Sequence, residues 1–489
     1  MKLASIKPAV LIFVAFFAFA PTVVFSSEPI NLVVIFIDDL GYADIGPFGA
    51  SNYPTPNLDR MAREGMQFND FVTSTAVCSA SRAALLTGCY HRRIGLHGAL
   101  GPNSKLGLNS KEQTIAEIAK QKHYATACFG KWHLGHHKPF LPLQHGFDKY
   151  YGLPYSNDMW PLHPDFADLP EGDAKRKRGY PNLPLIEGNE IVDEEVTGDD
   201  QKQLTTNYTN RAVEFINDNS ERPFFLYVPH SMVHVPLFVS EKFAGKSGAG
   251  LFGDVMMEVD WSVGEILNAI RKNGIQDKTW VVFTSDNGPW LNYGDHAGSA
   301  APLREGKGTM WEGGYRVPTL FWWPSRVLAG STCNELASTI DLLPTFAKLI
   351  GADLPDHKID GKDIRSLMYS MPDTVSPHEE FYLYYRHGQL QGVRDRQWKL
   401  VFPHQYRSLN GKTGGSGGKP VNYEQLNSGL ELYDLKSDVG ESKDVAAEHP
   451  DIVARLQEAA GRARSSLGDR LTEAKGSEIR PAGRIPESN

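Results

Sequence analysis

Asn31-Leu32-Val33-Val34-Ile35-Phe36-Ile37-Asp38-Asp39 decides the fold class. From Leu32 to Ile37 the run is wholly apolar, β-branched or aromatic at nearly every position, and it stops abruptly at two carboxylates. A strand with one solvated face alternates apolar with polar residues, whereas a strand covered on both faces reads as a continuous apolar run, the pattern of a parallel sheet. The polar stop marks its carboxyl end. Outward from it, 57–65 reads as a helix and 67–73 as extended chain. Ile115, Ile118 and Ala119 keep helical spacing within 112–122, and 124–129 reads as the next strand. The alternation continues with a helix over 204–217, a strand over 223–229, and a helix carrying Val255, Val259, Val263, Ile266, Leu267 and Ile270. An apolar strand over 280–284 ends at Asp286-Asn287, 317–323 reads as one more strand, and 339–350 as a helix. Such alternation predicts an α/β fold, a large mixed and mainly parallel sheet flanked by helices.

In an open parallel sheet the ligand crevice lies beyond the carboxyl ends of the strands. Asp38-Asp39, Lys131, His133, His234 and Asp286-Asn287 all follow predicted strands and are therefore expected to converge there despite their separation in the chain. From about 375 the texture changes to short aromatic-rich strands over 381–385, 392–402 and 431–435, a Gly-rich loop over 411–420 and a final helix over 451–467. This predicts a smaller antiparallel domain, dividing the chain into 28–374 and 375–489. Residues 155–200, rich in Pro, Gly and charge, read as a long surface insertion.

Composition bounds the partners. With 41% hydrophobic and 22% charged residues the chain has an ordinary globular balance, and a formal net charge of -8 gives no electrostatic reason for a nucleic-acid partner. Lys2 and Lys7 precede an apolar run over 9–20 and small-residue cleavage candidates at 18–20 and 24–26. Residues 1–27 read as a cleaved secretory signal, since Pro21 interrupts a run already short for a membrane span. No later segment is long and apolar enough to span, so the expected location is secreted or periplasmic. Of Cys78, Cys89, Cys128 and Cys333, conversion of the first would leave an odd number, which argues against a disulfide-stapled scaffold while leaving room for one bridge.

Cys78-Ser79-Ala80-Ser81-Arg82, running into Ala83-Ala84-Leu85-Leu86-Thr87-Gly88, sets a thiol and a cation four residues apart at a predicted helix start. If helical, both share one face, and Cys78 sits where unpaired N–H groups favour an anion. Asp38-Asp39 and Asp286-Asn287 offer three carboxylates and an amide, hard oxygen donors of the kind Ca²⁺ prefers. Gly130-Lys131-Trp132-His133 puts two basic side chains on one side of a segment if that segment is extended; Lys131 can hold a sulfate oxygen, and His133 can titrate near neutral pH. His234 and Lys307 add further cations.

Taken together these runs resemble the arylsulfatase-A-like sulfatases, formylglycine-dependent members of the alkaline phosphatase superfamily. Pro54-Thr55-Pro56-Asn57-Leu58-Asp59, Gly146-Phe147-Asp148, Tyr155-Ser156-Asn157-Asp158 and Lys307-Gly308-Thr309-Met310-Trp311-Glu312-Gly313-Gly314 match in the same order, so the likeness spans nearly the whole chain from Asn31. Ala80 stands where many members have Pro, a variant accepted in bacterial members. The resemblance implies that a maturation enzyme oxidises Cys78 to formylglycine. It also implies that Asp38, Asp39, Asp286, Asn287 and residue 78 bind Ca²⁺. Arg82 and Lys131 would stabilise the hydrated aldehyde and His133 would help it eject sulfate. Lys131, His234 and Lys307 would grip the sulfate, with His234 or Lys307 protonating the leaving oxygen, and Ser156 would contact nucleophile and sulfate.

The implied activity is hydrolysis of sulfate esters, of a sulfated carbohydrate or small molecule, with aryl sulfates as model substrates. His136, His137, Asp158, His163, His296 and His387 fall in loops expected to border the cleft, and 175–178 is a basic run. Two other readings stay open: a formylglycine-dependent phosphonate or phosphodiester hydrolase of the same superfamily, and an inactive protein that binds Ca²⁺ or a sulfated glycan. The hydrolases of the first kind present Asp-His where this chain has Asp286-Asn287. An imidazole there would favour a transition metal, so Asn287 tilts the case toward sulfate.

Overall fold

A computed structural model describes residues 29–163, 180–371 and 373–486. The predicted signal and the basic run 175–178 lie outside the described residues. Strands β1 (Asn31–Ile37), β2 (Met66–Phe68), β3 (Ala125–Phe129), β4 (Lys149–Gly152), β5 (Leu185–Glu187), β6 (Glu190–Asp193), β7 (Phe224–Pro229), β8 (Thr279–Ser285), β9 (Thr319–Trp322) and β10 (Ser331–Cys333) form one sheet in the order β10-β2-β9-β8-β1-β7-β3-β4-β5-β6. Its centre is parallel, β1 pairing with β7 and β8 and β3 pairing with β7 and β4. β9 runs antiparallel to both β8 and β2, so the strand expected near 317–323 is the point where the sheet becomes mixed.

Every residue of β1 is buried, yet the strand's two-residue period still sorts its side chains between the sheet's faces. Val33, Ile35 and Ile37 pack with Leu58 and Met61 of α1 (Pro56–Glu64) and with the helices Leu204–Asp218 and Gly250–Lys272. Leu32, Val34 and Phe36 pack with Leu85 and Leu86 of α2 (Cys78–Thr87) and with the helices Ile115–Lys120 and Leu342–Ile350. Helices therefore cover both faces. Among the described residues no helix is long and apolar enough to cross a membrane.

Two expectations need correction. Residues 155–200 are only partly a surface insertion: Tyr155, Ser156 and Asn157 are buried, and β5 and β6 form an antiparallel hairpin that extends the main sheet. The stretch 392–402 is two strands, because the chain turns between β12 (Gln389–Arg394) and β13 (Trp398–Val401). Asp395 makes that turn by accepting from the Gln397 and Trp398 amides at 2.7 Å each. With β11 (Phe381–Tyr385), a separate hairpin of β14 (Gln405–Ser408) and β15 (Glu424–Asn427), and β16 (Glu431–Asp434), the C-terminal part has an antiparallel sheet ordered β11-β12-β13-β16. The helix Pro450–Leu467 supplies Leu456, Ala459, Ala460 and Ala463 to the same core.

Buried charge ties this smaller sheet to the large one. Arg394 reaches Asp70 at 2.6 Å and Glu312 at 3.0 Å, and Lys399 reaches Glu441 at 2.6 Å and Glu312 at 3.4 Å. Removing one member of a buried ion network strands the others without compensation in a medium of low polarity. Arg394→Ala is expected to lower stability by about 3–5 kcal/mol, read as a fall in the denaturant midpoint with unchanged slope; a midpoint shift near zero would mean the network holds nothing together.

Candidate active site

The register of β1 against β8 builds the site's floor. Ile37 lies opposite Ser285, so the residues that follow each strand emerge side by side. The Asp39 amide donates to Asp286 Oδ1 at 3.2 Å, and Asn287 Nδ2 donates to Asp39 Oδ1 at 2.8 Å. Asp39 has a left-handed φ of 60°, a conformation that Asp and Asn tolerate better than most side chains. β3 delivers Lys131 through Gly130, where a Cβ would lie 1.9 Å from the Pro229 carbonyl oxygen and only glycine fits.

The predicted residues meet here. Cys78 is the first residue of α2, and Arg82, one turn on, is fully buried. Arg82 Nε and Nη2 contact Asp286 Oδ2 at 3.0 and 2.9 Å, Nη1 donates to the Lys131 carbonyl at 2.9 Å, and Nη2 lies 3.5 Å from Asp38 Oδ1. Lys131 Nζ is paired with Asp38 and donates to Ser156 Oγ at 3.0 Å. Lys307 Nζ sits 2.7 Å from Asp39 Oδ1 and 3.4 Å from Cys78 Sγ. His234 Nε2 is 3.6 Å from Asp39 Oδ2, its Nδ1 being engaged with the Val235 carbonyl at 2.5 Å. Ligand atoms of Asp38, Asp39, Cys78 and His234 lie within 4.8 Å of one another. This adds His234 to the donors expected from sequence, while Asp286 and Asn287 border the group through Asp39.

Electrostatics sort these groups. Asp38, Asp39 and Asp286 face Arg82, Lys131 and Lys307, so buried groups of the two signs are paired. Burial opposes ionisation of Asp38, but Lys131 and Arg82 outweigh it and hold the carboxyl well below its usual range. Burial and the neighbouring Asp38 charge push Asp286 up to about 7. A cation among the carboxylates would relieve that repulsion. Burial pushes the Cys78 thiol upward, and Lys131 and Lys307 offset only part of it. The unmodified side chain is therefore a thiol, not a nucleophilic thiolate. Lys307 is held charged despite burial because Asp39 faces it.

His133 departs from expectation in two ways. The segment Lys131–His133 is not extended, since His133 has φ 61°. Nor does its ring titrate near neutrality: burial, with Lys131 and Arg82 nearby, holds it well below its usual value. Its Nε2 lies 3.0 Å from the Leu100 carbonyl oxygen. A carbonyl only accepts, so the proton is on Nε2 and Nδ1 carries a lone pair, and that buried Nδ1 has no partner among the described residues.

Asp38 Oδ1 and Asn287 Oδ1 are likewise buried without a hydrogen-bond donor. Unsatisfied oxygens beside carboxylates fit a hard cation. Cys89, Cys128 and Cys333, like Cys78, are buried free thiols, so the bridge left open by the sequence does not form. Asp158 belongs to the same field, burial opposing the pull of His234 and Ser156 that lowers its pKa. Trp290 and Arg407 escaped the sequence reading. The indole ring centroid lies 4.5 Å from Lys307 Nζ and 5.5 Å from the His234 ring, and Arg407 Nε donates to the Lys307 carbonyl at 3.0 Å. Closeness in sequence to Asn287 was the one signal for Trp290. Arg407 had none, because it arrives from β14.

Residues 30–352 match the sulfatase family model and residues 376–481 match the C-terminal region of aryl-sulfatase. The chain is 36% identical to human (Homo sapiens) arylsulfatase A, covering 88% of this chain and 87% of that protein. It is 37% identical to the N-acetylgalactosamine-6-sulfatase of Canis lupus familiaris, over 77% of this chain and 72% of that protein. The solved structure of PsFucS1 sulfatase from Pseudoalteromonas sp. superimposes with a TM-score of 0.80 at 27% identity, covering 89% and 90% of the two chains.

Proposed function

Because the chain belongs to the sulfatase family and is a sulfuric ester hydrolase, we propose that it is exported and cleaves sulfate esters of a carbohydrate, using Ca²⁺ and a formylglycine formed from Cys78. The observation that carries this reading is the single buried cluster in which Cys78, two acidic strand ends and three permanent cations meet. Export rests on the leader-like residues 1–27, and a carbohydrate substrate on the kinship with a protein named N-acetylgalactosamine-6-sulfatase.

Asp38, Asp39, Asp286 and Asn287 would hold Ca²⁺, with residue 78 as a further ligand; the bound ion would polarise sulfate oxygens and offset their charge. An aldehyde at position 78 supplies, once hydrated, one hydroxyl to attack sulfur and a second whose proton loss releases sulfate. This chain's own residues do the rest. Arg82 and Lys131 fix the acidic floor and present positive charge to developing oxyanions. His133, whose Nδ1 carries a lone pair, would take a proton from a hydroxyl at position 78. Lys131, Ser156, His234 and Lys307 would line the sulfate position, and Lys307, charged and 3.4 Å from Sγ, would be the proton source for the departing oxygen, with His234 beside it across Trp290. Arg82, Lys131 and Lys307, with a divalent ion held by the carboxylates, would present positive charge to an anionic ester.

Protein purified from a host with maturation machinery should turn over para-nitrophenyl sulfate faster than an aryl phosphonate, and peptide mass analysis should show residue 78 converted. Preference for the phosphonate would favour the phosphonate-hydrolase reading. A retained thiol in protein from the native host, with no turnover of either compound, would favour the inactive binder.

A further inference from the structure

Beside the start of α2 lies a cavity of about 120 Å³ walled by Thr75, Val77, His91, His97, Gly98, Tyr385, Arg386 and His387. Four of these side chains are basic or imidazole and none is acidic. The cavity adjoins the catalytic helix directly. Val77 precedes Cys78, and the Ala80 amide donates to the Gly98 carbonyl at 3.2 Å. The same strap continues to Leu100, whose amide bonds Ser79 Oγ at 2.9 Å and whose carbonyl meets His133.

The wall is built with unusual backbone. Arg386, His387 and Gly388 join β11 to β12, and all have left-handed φ, 42°, 59° and 93°. The first two are not glycine, and such residues carry strain that packing or function must maintain. At Gly388 a Cβ would lie 2.8 Å from Arg92 Cζ, so the Arg92 guanidinium packs against the turn. Arg92 Nη1 lies 3.2 Å from His97 Nε2. Arginine only donates, so His97 Nε2 accepts and its proton sits on Nδ1. That N–H is buried without a partner among the described residues. Arg386 bonds Gln425 Oε1 at 3.0 Å and has no carboxylate partner among the described residues. A donor without an acceptor, and a guanidinium without a counter-ion, border a space larger than the roughly 30 Å³ of one water.

We propose that this cavity is a second anion subsite, in which Arg386 and His97, with His387 at the rim, take a carboxylate or sulfate that the saccharide carries away from the scissile ester. The inference rests on the sulfatase reading for the identity of the ligand, though the binding chemistry is independent of turnover. It makes the preferred substrate a polyanionic saccharide, one bearing a second sulfate or a uronate, over a neutral sugar with a single sulfate.

The test uses three saccharides that share the scissile sulfate, one with a second sulfate, one with a uronate carboxylate and one with neither, alongside para-nitrophenyl sulfate. In wild-type protein either or both anionic sugars should exceed the neutral one in kcat/KM, and the better of the two identifies the group recognised. Arg386→Gln is expected to lower kcat/KM for that sugar about 10-fold, the loss of one charge-assisted contact, through KM, with para-nitrophenyl sulfate changed less than about twofold. The double variant Arg386→Asn/His387→Gly, whose residues suit left-handed backbone, should give the same loss with undiminished thermal stability. Equal kcat/KM for charged and neutral sugars, or a parallel fall on every substrate, overturns the proposal. Calorimetric binding to Cys78→Ala protein, with and without Arg386→Gln, keeps the two readings apart. About 10-fold weaker binding of the anionic sugar by Cys78→Ala/Arg386→Gln than by Cys78→Ala supports the subsite even if catalysis proves different, and unchanged binding overturns it even if wild-type turnover is as expected.

Discussion

Cys78→Ser is expected to lower turnover of para-nitrophenyl sulfate by about 10⁴-fold or more while leaving the fold and the thermal midpoint essentially intact. The reason is chemical. The thiol is buried, raised above its ordinary pKa and touched by Lys307 at 3.4 Å, so neither it nor a serine hydroxyl in its place is ionised at neutral pH. A serine could at best form a sulfate ester that water must then attack, whereas a hydrated aldehyde carries the second hydroxyl needed for release. Structurally the change is small, since a hydroxyl can keep the Lys307 contact at the first position of α2. The measurement is steady-state turnover by purified variant whose residue 78 has been shown by peptide mass to be unmodified serine. Near-normal rates would remove the modified residue from the mechanism and leave the acidic cluster as the sole catalytic element.

Asp38→Asn carries the second large effect, a loss of about 10²–10³ in kcat/KM together with weakened Ca²⁺ affinity. Asp38 is fully buried, is paired with Lys131, lies 3.5 Å from Arg82 and has Oδ1 without a donor. Replacing it removes a carboxylate while Arg82, Lys131 and Lys307 remain, so the site holds a cation less well. The readout independent of activity is thermal: Ca²⁺ should raise the wild-type midpoint, an excess of about 100 times Kd adding about 2.7 kcal/mol, and should raise that of Asp38→Asn far less. A chelator should reverse the wild-type gain. If added Ca²⁺ moves neither midpoint, the cluster is an ion-pair network alone.

Much of the large sheet was legible because strand termination is local. An apolar run that ends in Asp38-Asp39, and another that ends before Asp286-Asn287, state where each strand stops, and parallel pairing places those stops at one edge. The register Ile37 opposite Ser285 then brings the two acidic pairs within hydrogen-bond distance. The errors were equally local in origin. Reading 392–402 as one aromatic-rich strand passed over the polar run Arg394-Asp395-Arg396-Gln397, where Asp395 makes a turn by capping two amides, and the Pro- and Gly-rich stretch after 155 concealed the sheet-extending hairpin β5–β6.

By itself the sequence determined the α/β class, the polar ends of the central strands and the helix start that carries Cys78, because periodicity and chain punctuation act over a few residues. Only the tertiary structure decided that His133 is a neutral acceptor, because its protonation depends on burial and on cations from other elements. The same holds for the partners of Lys131 and Lys307, and for the C-terminal strands that bring Arg394 to Asp70, Arg407 to Lys307 and Arg386 to the cavity beside Cys78. Apart from Lys131–Ser156, those contacts join residues 93 or more positions apart, and which charges share a low-dielectric cavity is set by how whole layers pack, a property no single window of the chain contains.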